Sequence, residues 1–520
     1  MSAHPAGAAR APVRVTTARE AAARDAAAIA AGTASSTLMR HAGERAAAEI
    51  LRRYPKRAHG GVAVFAGTGN NGGDGWVVAR VLASHGHPVR VIPAGEPRTP
   101  DAAAAQALAI ATRGVTIGGE PGDARLVVDA LLGTGAAGTP RDGVAALVGQ
   151  VNAMRGHGAV VVSLDVPSGV DADAGPTPIA VHAHLTLAFG TMKRGLLLAR
   201  DLTGVIAVLD IGLGAAGDDD GAPELVSHAW VRAQVPRISA HAHKGTRRKL
   251  AIVGGQPGMA GAAIVAARAA MRSGIGMVRL VVARESLPVV QAAVPYATAA
   301  AWPARDEDVR DAVTDWADTV LIGPGLGDSP SSLALAERVL GAWRGPVVAD
   351  ADALNVFKGE ASNLGTLLAG RPALITPHPA EAGRLLGIPT EMVNARRFEI
   401  GAELAAAAQA AVLLKGVPTV ITDRAGVRRV CAAGTAALAA AGSGDLLAGI
   451  AATMLAQTGR AAAAGAIAAW VHGHAAELAT DGRTPRGITL EMVERALSAV
   501  WALSDGDPLP PVLAELPAAP

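Results

Sequence analysis

Gly61-Val-Ala-Val-Phe-Ala-Gly-Thr-Gly-Asn-Asn-Gly-Gly-Asp-Gly75 is the stretch on which the fold turns. Its first six residues form an unbroken apolar run, the pattern of a short strand buried on both faces. Glycines then interrupt the run over 67–75, and a helix is expected from about Trp76. Strand, glycine turn and helix in that order open an α/β unit with a parallel sheet.

The same alternation extends outward in both directions. Upstream, Thr17-Ala-Arg-Glu20 has the spacing of a capping box, and an Ala-rich helix should follow it. A second helix is expected over about 37–53. Downstream, strand candidates recur at 89–92, 126–129, 159–165, 185–189 and 205–210. The run Gly214-Ala-Ala-Gly-Asp-Asp-Asp-Gly-Ala-Pro223 then opposes regular structure and punctuates the series, so a domain boundary is placed at about residue 230. Beyond it the alternation restarts, with strands at 250–253, 277–282, 319–322, 347–349 and 373–376. Later short strands involve Leu413 and Val420, and a helix runs over 445–456 behind a glycine turn. Two tandem α/β domains follow, 14–230 and 235–505, each an open sheet with helices on both faces.

Bulk composition agrees with this division. A chain of 520 residues exceeds what one core usually supports. Half of it is apolar but only 2% is aromatic, so the core must be Ala, Val, Leu and Ile, fine-grained enough for helices to pack closely on a sheet. With 62 Gly and 32 Pro, a helical bundle is excluded. A formal charge of +2, from 47 Lys and Arg against 45 Asp and Glu, offers no general field for nucleic acid or a membrane surface. The lone Cys431 permits no internal disulfide and suits a reducing cytoplasm. The first fifteen residues lack the apolar core of a signal peptide. The Ala-rich segment 461–469 is followed by His472, His474 and Glu477, which fits a packed soluble helix and no membrane span. Self-association is left open.

In the first domain, three segments lie just beyond strand carboxyl ends, where open parallel sheets bind ligands. They are the Gly67–Gly75 loop with Asn70, Asn71, Gly72, Gly73 and Asp74; Asp129 with the loop Gly133-Thr-Gly-Ala-Ala-Gly-Thr139; and Asp165-Val-Pro-Ser168. Taken singly, each could be a turn whose Asp or Asn satisfies its own backbone. Taken together they offer hard oxygen donors suited to potassium, sodium or magnesium, and backbone donors for phosphate.

Asn70-Asn-Gly-Gly-Asp-Gly75, Asp165-Val-Pro-Ser-Gly-Val-Asp171 and Phe189-Gly-Thr-Met-Lys-Arg-Gly-Leu196 resemble the signature segments of the NAD(P)HX epimerase family, the YjeF N-terminal domain, over about residues 14–220. The resemblance implies a Rossmann-like α/β/α sandwich in which Asn71, Asp129 and Ser168 hold potassium. It also implies that Asn70, Asn71, Gly72, Gly73, Asp74, Gly133, Thr134, Gly135, Ala136, Ala137, Gly138, Thr139 and Asp165 contact the hydrated cofactor. Asp165 is then the candidate acid/base, because inverting a hydroxyl-bearing carbon beside the ring nitrogen moves a proton near an iminium-like intermediate. Lys193 is open between a functional and a surface role.

The second domain places Gly442-Ser-Gly-Asp445 at a helix start, where a tight turn and the helix dipole favour an anion and a carboxylate can take a proton. Phosphoryl transfer is the generic reading of that pattern. A simple helix cap is the bland one. His378 could likewise be a structural histidine, and His241, His243, His472 and His474 are expected in solvated or local hydrogen-bonded roles.

His243-Lys-Gly245, Gly258-Met-Ala-Gly-Ala262, Arg272-Ser-Gly-Ile-Gly276, Gly323-Pro-Gly-Leu-Gly327, His378-Pro-Ala-Glu381, Lys415-Gly416 and Gly444-Asp445 resemble the ADP-dependent NAD(P)HX dehydratase family, with its ribokinase-like fold, over about residues 235–505. The resemblance implies that Ala262, Gly325 and His378 lie near the hydrated cofactor. It further implies that Lys415, Gly416, Val417, Pro418, Thr419 and Gly444 line the adenine nucleotide site and that Asp445 is the base. ADP, accompanied by Mg2+, would phosphorylate the substrate hydroxyl before elimination, so that NADHX and NADPHX become NADH and NADPH with release of AMP and phosphate. Three departures stand out: Thr246-Arg-Arg248 where the family has a glycine, Ala380 for the glycine before Glu381, and Gly434–Gly442 without the usual Asn-Pro-Gly-Met approach. A small-metabolite kinase and a nucleotide-binding regulatory module are the competing readings.

Overall fold

A computed structural model describes residues 12–214, 221–503 and 508–519. Part of the punctuating run Gly214–Pro223 and most of the N-terminal segment read against a signal peptide lie outside the described residues. Contacts divide the chain into two compact units. The first runs through Leu225 and takes in the C-terminal stretch 507–519; the second spans Val226–Gly506.

In the first unit the strands are β1 (Val62–Ala66), β2 (Val89–Pro93), β3 (Val115–Ile117), β4 (Leu126–Ala130), β5 (Val160–Leu164), β6 (Leu185–Phe189) and β7 (Val205–Leu209). Across the sheet the order is β3-β2-β1-β4-β5-β6-β7, all parallel. The chain's last strand, Val512–Leu516, pairs antiparallel with β7. β3 and this terminal strand were not foreseen. β3 is short and largely exposed, without the apolar run that marks buried strands. The terminal strand belongs to a sheet that is otherwise complete some 300 residues earlier in the chain, and nothing local in a sequence announces such a return.

The second unit repeats the plan. Its strands are β8 (Lys249–Val253), β9 (Met277–Val282), β10 (Thr298–Ala301), β11 (Thr319–Ile322), β12 (Val347–Ala349), β13 (Ala373–Ile375), β14 (Ala411–Leu414), β15 (Thr419–Thr422) and β16 (Arg428–Cys431). They lie in the order β10-β9-β8-β11-β12-β13-β14-β15-β16, parallel up to β14 and antiparallel in the last two steps. Along β8 the side chains alternate between two apolar layers. Leu250 and Ile252 meet the helices Ala260–Arg272, Ser443–Thr458 and Ala461–Thr480, while Ala251 and Val253 join the layer under Pro330–Ala342 and Ile400–Ala408. The aromatic-poor composition is visible as close approach: a Cβ on Gly449 would lie 2.2 Å from the Ala266 carbonyl oxygen of the facing helix.

In each sheet strand order reverses at one place, between β1 and β4 and between β8 and β11. A crevice opens there at the carboxyl edge, and ligands of open α/β sheets settle in it.

Candidate functional sites

The Thr17 capping box forms as the sequence indicates, with the Glu20 backbone N–H donating to Thr17 Oγ1 and Thr17 N donating to Glu20 Oε2. The glycine loop after β1 departs from expectation. Its helix begins at Asn70, six residues before Trp76, so Asn70–Asp74 form its first turns. Glycine serves here for close packing: a Cβ on Gly72 would sit 1.9 Å from the Gly67 carbonyl oxygen, and one on Gly75 2.6 Å from Ala130 Cβ. Helix and crevice are pressed together, and Asn71 is carried over the end of β4.

Asp129, at the end of β4, is fully buried. It accepts from Ser163 Oγ (2.8 Å), Ser168 N (2.9 Å), Ser168 Oγ (2.6 Å) and Leu131 N (3.3 Å). Burial pushes its carboxyl above the usual range, against the pull of those donors. Asn71 Nδ2 donates to the Leu132 carbonyl at 2.8 Å, whereas Asn71 Oδ1 is a buried acceptor without a partner. A buried amide oxygen left unsatisfied costs about 1–3 kcal/mol. An orphaned acceptor is what a bound cation would satisfy, and with the Asp129 carboxylate and the Ser168 hydroxyl the donor set is hard oxygen.

Asp165 follows β5 at a positive φ of +61°, a conformation Asp tolerates better than most residues and one that holds its side chain over the sheet edge. Lys193 Nζ donates to Asp165 Oδ1 at 2.5 Å and to the Phe189 carbonyl at 2.7 Å. Lys193 is therefore a buried partner of the candidate acid/base, and the surface alternative is wrong. The N–H groups of Thr134 and Phe189 also point at the carboxylate, each at 3.4 Å. Asp74 is nearly enclosed. Its carboxyl is held well above the usual range by burial and then by the charges of Asp165 and Asp25, with Lys193 opposing. A cavity of about 330 Å3 opens alongside, lined by Thr134, Gly135, Ala136, Ala137, Asp171 and the helix positions Ala18 and Ala22.

In the second unit, Gly325 stands at φ +62° with its Cα toward Ala262 and Met259; a Cβ there would lie 2.4 Å from the Met259 carbonyl oxygen. The two segments after β8 and β11 thus touch at the reversal point. Further along the same edge, Lys415 after β14 donates to Asp350 Oδ1 after β12 at 2.9 Å and lies 3.6 Å from Glu381 Oε2. Burial pulls the Lys415 ammonium down, but Asp350 and Glu381 outweigh it and hold it above its ordinary value. Asp350, directly after the apolar strand Val347–Ala349, is not among the candidate site residues named from the sequence. Its charge pattern could have marked it, because a carboxylate ending a buried strand needs a partner.

His378 caps the helix Pro379–Leu386, its Nδ1 accepting from the N–H groups of Ala380 (3.1 Å) and Glu381 (3.3 Å). Nδ1 must then be unprotonated, which leaves Nε2 carrying the proton in the neutral ring. Burial lowers the imidazole's pKa, as do Lys415 and Arg384. The helix bearing Asp445 begins at Ser443, not at Asp445 itself, with Gly442 at φ +85° and no side chain capping it. Gly444 and Asp445 occupy the first turn, where backbone N–H groups lack intrahelical partners. A Cβ on Gly444 would be 3.4 Å from Lys415 Nζ and 3.8 Å from Asp350 Oδ2, so the uncapped turn abuts the ion pair. Burial raises the Asp445 carboxyl to about 7, with Asp350 adding to the rise and Lys415 opposing it. His472, buried behind this turn, meets Ser443 Oγ at 3.2 Å and is pushed down to about 4 by burial and then by Lys415. His243 keeps to local bonds. The Ala-rich approach to the turn forms a short 3-10 helix, Ala436–Leu438, and the Glu477 carboxylate holds Gly434 N at 2.8 Å.

Two doubly wound sheets, each with acidic side chains and glycine-lined turns along its carboxyl edge, define a tandem α/β protein with two separate sites. Residues 35–195 match the family described as YjeF-related protein N-terminus, and residues 250–498 match NAD(P)H-hydrate dehydratase. The chain is 34% identical over 488 residues to a bifunctional NAD(P)H-hydrate repair enzyme of Moorella thermoacetica, covering 87% of this chain and 90% of that one. It is 35% identical over 481 residues to the enzyme of that name from Escherichia coli, covering 87% and 86%. An ADP/ATP-dependent NAD(P)H-hydrate dehydratase from Bacillus subtilis, crystallised with ATP and Mg2+, is 31% identical over 54% of this chain and 98% of its own, with a TM-score of 0.47. The chain belongs to the family of bifunctional NAD(P)H-hydrate repair enzymes. Among the described residues no helix is long and apolar enough to cross a membrane.

Proposed function

We propose that the first unit interconverts the R and S epimers of NADHX and NADPHX, and that the second dehydrates the S epimer at the expense of ADP, giving NAD(P)H, AMP and phosphate. The observation that carries this reading is that both sites fall within the stretch shared with bifunctional repair enzymes over 87% of the chain.

In the first unit the hydrate's hydroxyl-bearing carbon would lie by Asp165, with its nicotinamide and ribose against the Thr134–Ala137 wall. Leaving of the hydroxyl as water needs a proton, and return of water to the opposite ring face releases one. Asp165 gives that proton as water leaves, faces the transient positive charge, and takes a proton back from the returning water, while Lys193 fixes its orientation. Asp74, whose carboxyl burial and the neighbouring Asp165 charge hold well above the usual range, lies beside Asp165 as a second polar group of the pocket. Asn71, Asp129 and Ser168 would hold potassium, which supplies a fixed positive charge to the pocket wall.

In the second unit the adenine nucleotide would lie over Lys415–Thr419 and Gly444, with its phosphates at the uncapped turn and the hydrate between Ala262, Gly325 and His378. Mg2+ would accompany the phosphates, which are hard oxygen ligands. Asp445 removes the proton from the substrate hydroxyl as its oxygen attacks the β-phosphorus of ADP, and AMP leaves. Phosphate then departs from carbon and carries off the proton lost by the neighbouring carbon, restoring the ring double bond.

Chromatography of both epimers with the full chain tests the reading. Epimer exchange should proceed without nucleotide, and NADH should appear, with loss of the S form, only when ADP is added. A phosphorylated metabolite accumulating beside untouched hydrate would instead identify a kinase. Binding without turnover would identify a regulatory module.

A further inference from the structure

Lys415 is balanced by Asp350 and Glu381, so its charge is largely neutralised before any phosphate arrives. Beneath the same loop lies a second cation. Arg397, between the helices Thr390–Ala395 and Ile400–Ala408, is buried, and among the described residues no carboxylate pairs with it. Its Nη1 donates to the carbonyl oxygens of Lys415 (3.2 Å) and Pro418 (3.1 Å), and its Nη2 to Asn394 Oδ1 (2.8 Å).

Burying a guanidinium against neutral acceptors alone is expensive, and an apolar side chain would fill the space at less cost. The loop is also shaped around it: Gly416 sits at φ +142°, and a Cβ there would lie 2.3 Å from Arg397 Nη1. Lys415 is thereby fixed on both sides of its peptide, its N–H on the Pro377 carbonyl (2.9 Å) and its C=O on Arg397. Thr419 is tied into the same turn through Oγ1 to the Gly416 carbonyl (3.0 Å).

We infer that Arg397 is the positioning residue of the nucleotide site: its planar fork holds the Lys415–Thr419 backbone in the register that receives ADP, and its uncompensated charge lies beneath that loop. The inference rests on the functional reading above, in which this loop lines the nucleotide. Lysine in its place would keep the charge but lose the fixed fork that spans three acceptors.

Calorimetric titration of ADP into the full chain, without hydrate, separates the two ideas. Wild-type protein that binds no ADP would sink the functional reading. If it binds, Arg397→Lys should weaken ADP about tenfold. The same variant should raise KM for ADP in dehydration more than it lowers kcat, with epimer exchange in the first unit unchanged and a wild-type urea midpoint for the second unit as the sign that it is folded. Asn394→Ala, which removes one acceptor and leaves the guanidinium, should weaken ADP by a smaller factor, about threefold. ADP affinity within twofold of wild type in folded Arg397→Lys overturns the inference. If that variant cannot be recovered folded, Asn394→Ala decides, and wild-type affinity there overturns it equally.

Discussion

The two units share a strand order and differ in how they use it. In the first, the polar groups crowd the reversal point and the strand beside it: Asn71 follows β1, Asp129 ends β4, and Asp165 follows β5, paired with a buried lysine at 2.5 Å. In the second, the small residues Ala262 and Gly325 meet at the reversal point, beside Met259. The charged groups are displaced outward, to the ends of β12 and β14 and the helix after β16. One scaffold thus supports a site in which a carboxylate is paired with an amine, and another in which Asp445, without an ion-pair partner among the described residues, is raised to about 7. The difference follows from what each must accommodate. An isomerisation needs one ligand and one proton. A phosphoryl transfer needs two ligands end to end, an uncapped helix start for phosphate, and a base whose affinity for protons is close to neutrality.

The sharpest way to break this contrast is Asp445→Asn. Dehydration should fall on the order of 10³-fold, in the range of a lost general base, while epimer exchange keeps its wild-type rate; equal dehydration by the variant would remove Asp445 from the mechanism. Next in size, Asp165→Asn should slow exchange about 10²-fold and leave ADP-dependent NADH formation from pure S epimer intact.

A pH series sharpens the comparison without mutation. Asp445 must be ionised to act as a base, and its carboxyl is raised to about 7. Dehydration by the full chain should therefore be half-maximal near pH 7 and fall about tenfold for each unit below it. Rates of dehydration that stay flat from pH 5 to 8 would show that no group of this kind limits the step.

The smallest expected effect concerns a departure from the family pattern. Arg248 is the last residue of Thr246-Arg-Arg248, the stretch that stands where the resembled family has a glycine, and it adopts φ +76° with its side chain exposed. Arg248→Gly should relieve that conformation and stabilise the second unit by about 0.5–1 kcal/mol, read as a rise in its urea midpoint. A lower midpoint would mean that the arginine side chain carries a compensating contact.

Much of this was legible in the sequence, for physical reasons. Buried strands are largely apolar runs ended by turn or polar residues, and Met277–Val282, Thr319–Ile322 and Val347–Ala349 are read from such runs to the residue. What escaped has no local signature. The glycines over 67–75 signal a loop, yet Gly72, Gly73 and Gly75 are helical, and Gly75 answers a neighbour distant in sequence, Ala130 at the end of β4. Arg397 sits in a polar stretch between two helices, and its role exists only where Lys415 and Pro418 come to meet it. Lys193 was ambiguous for the same reason, since its partner is a carboxylate on another strand's end. Residues that act on ligands stand in motifs, whereas residues that hold those motifs in place are scattered and become visible through their hydrogen bonds.

The account stands or falls on two independent sites in one chain. Asp165→Asn protein given the epimer mixture with ADP tests this in a single time course. The S form should be converted to NADH at the wild-type rate while the R form declines about 10²-fold more slowly than with wild-type protein. Disappearance of the R form as fast as with wild-type protein, or failure to consume the S form, would contradict it.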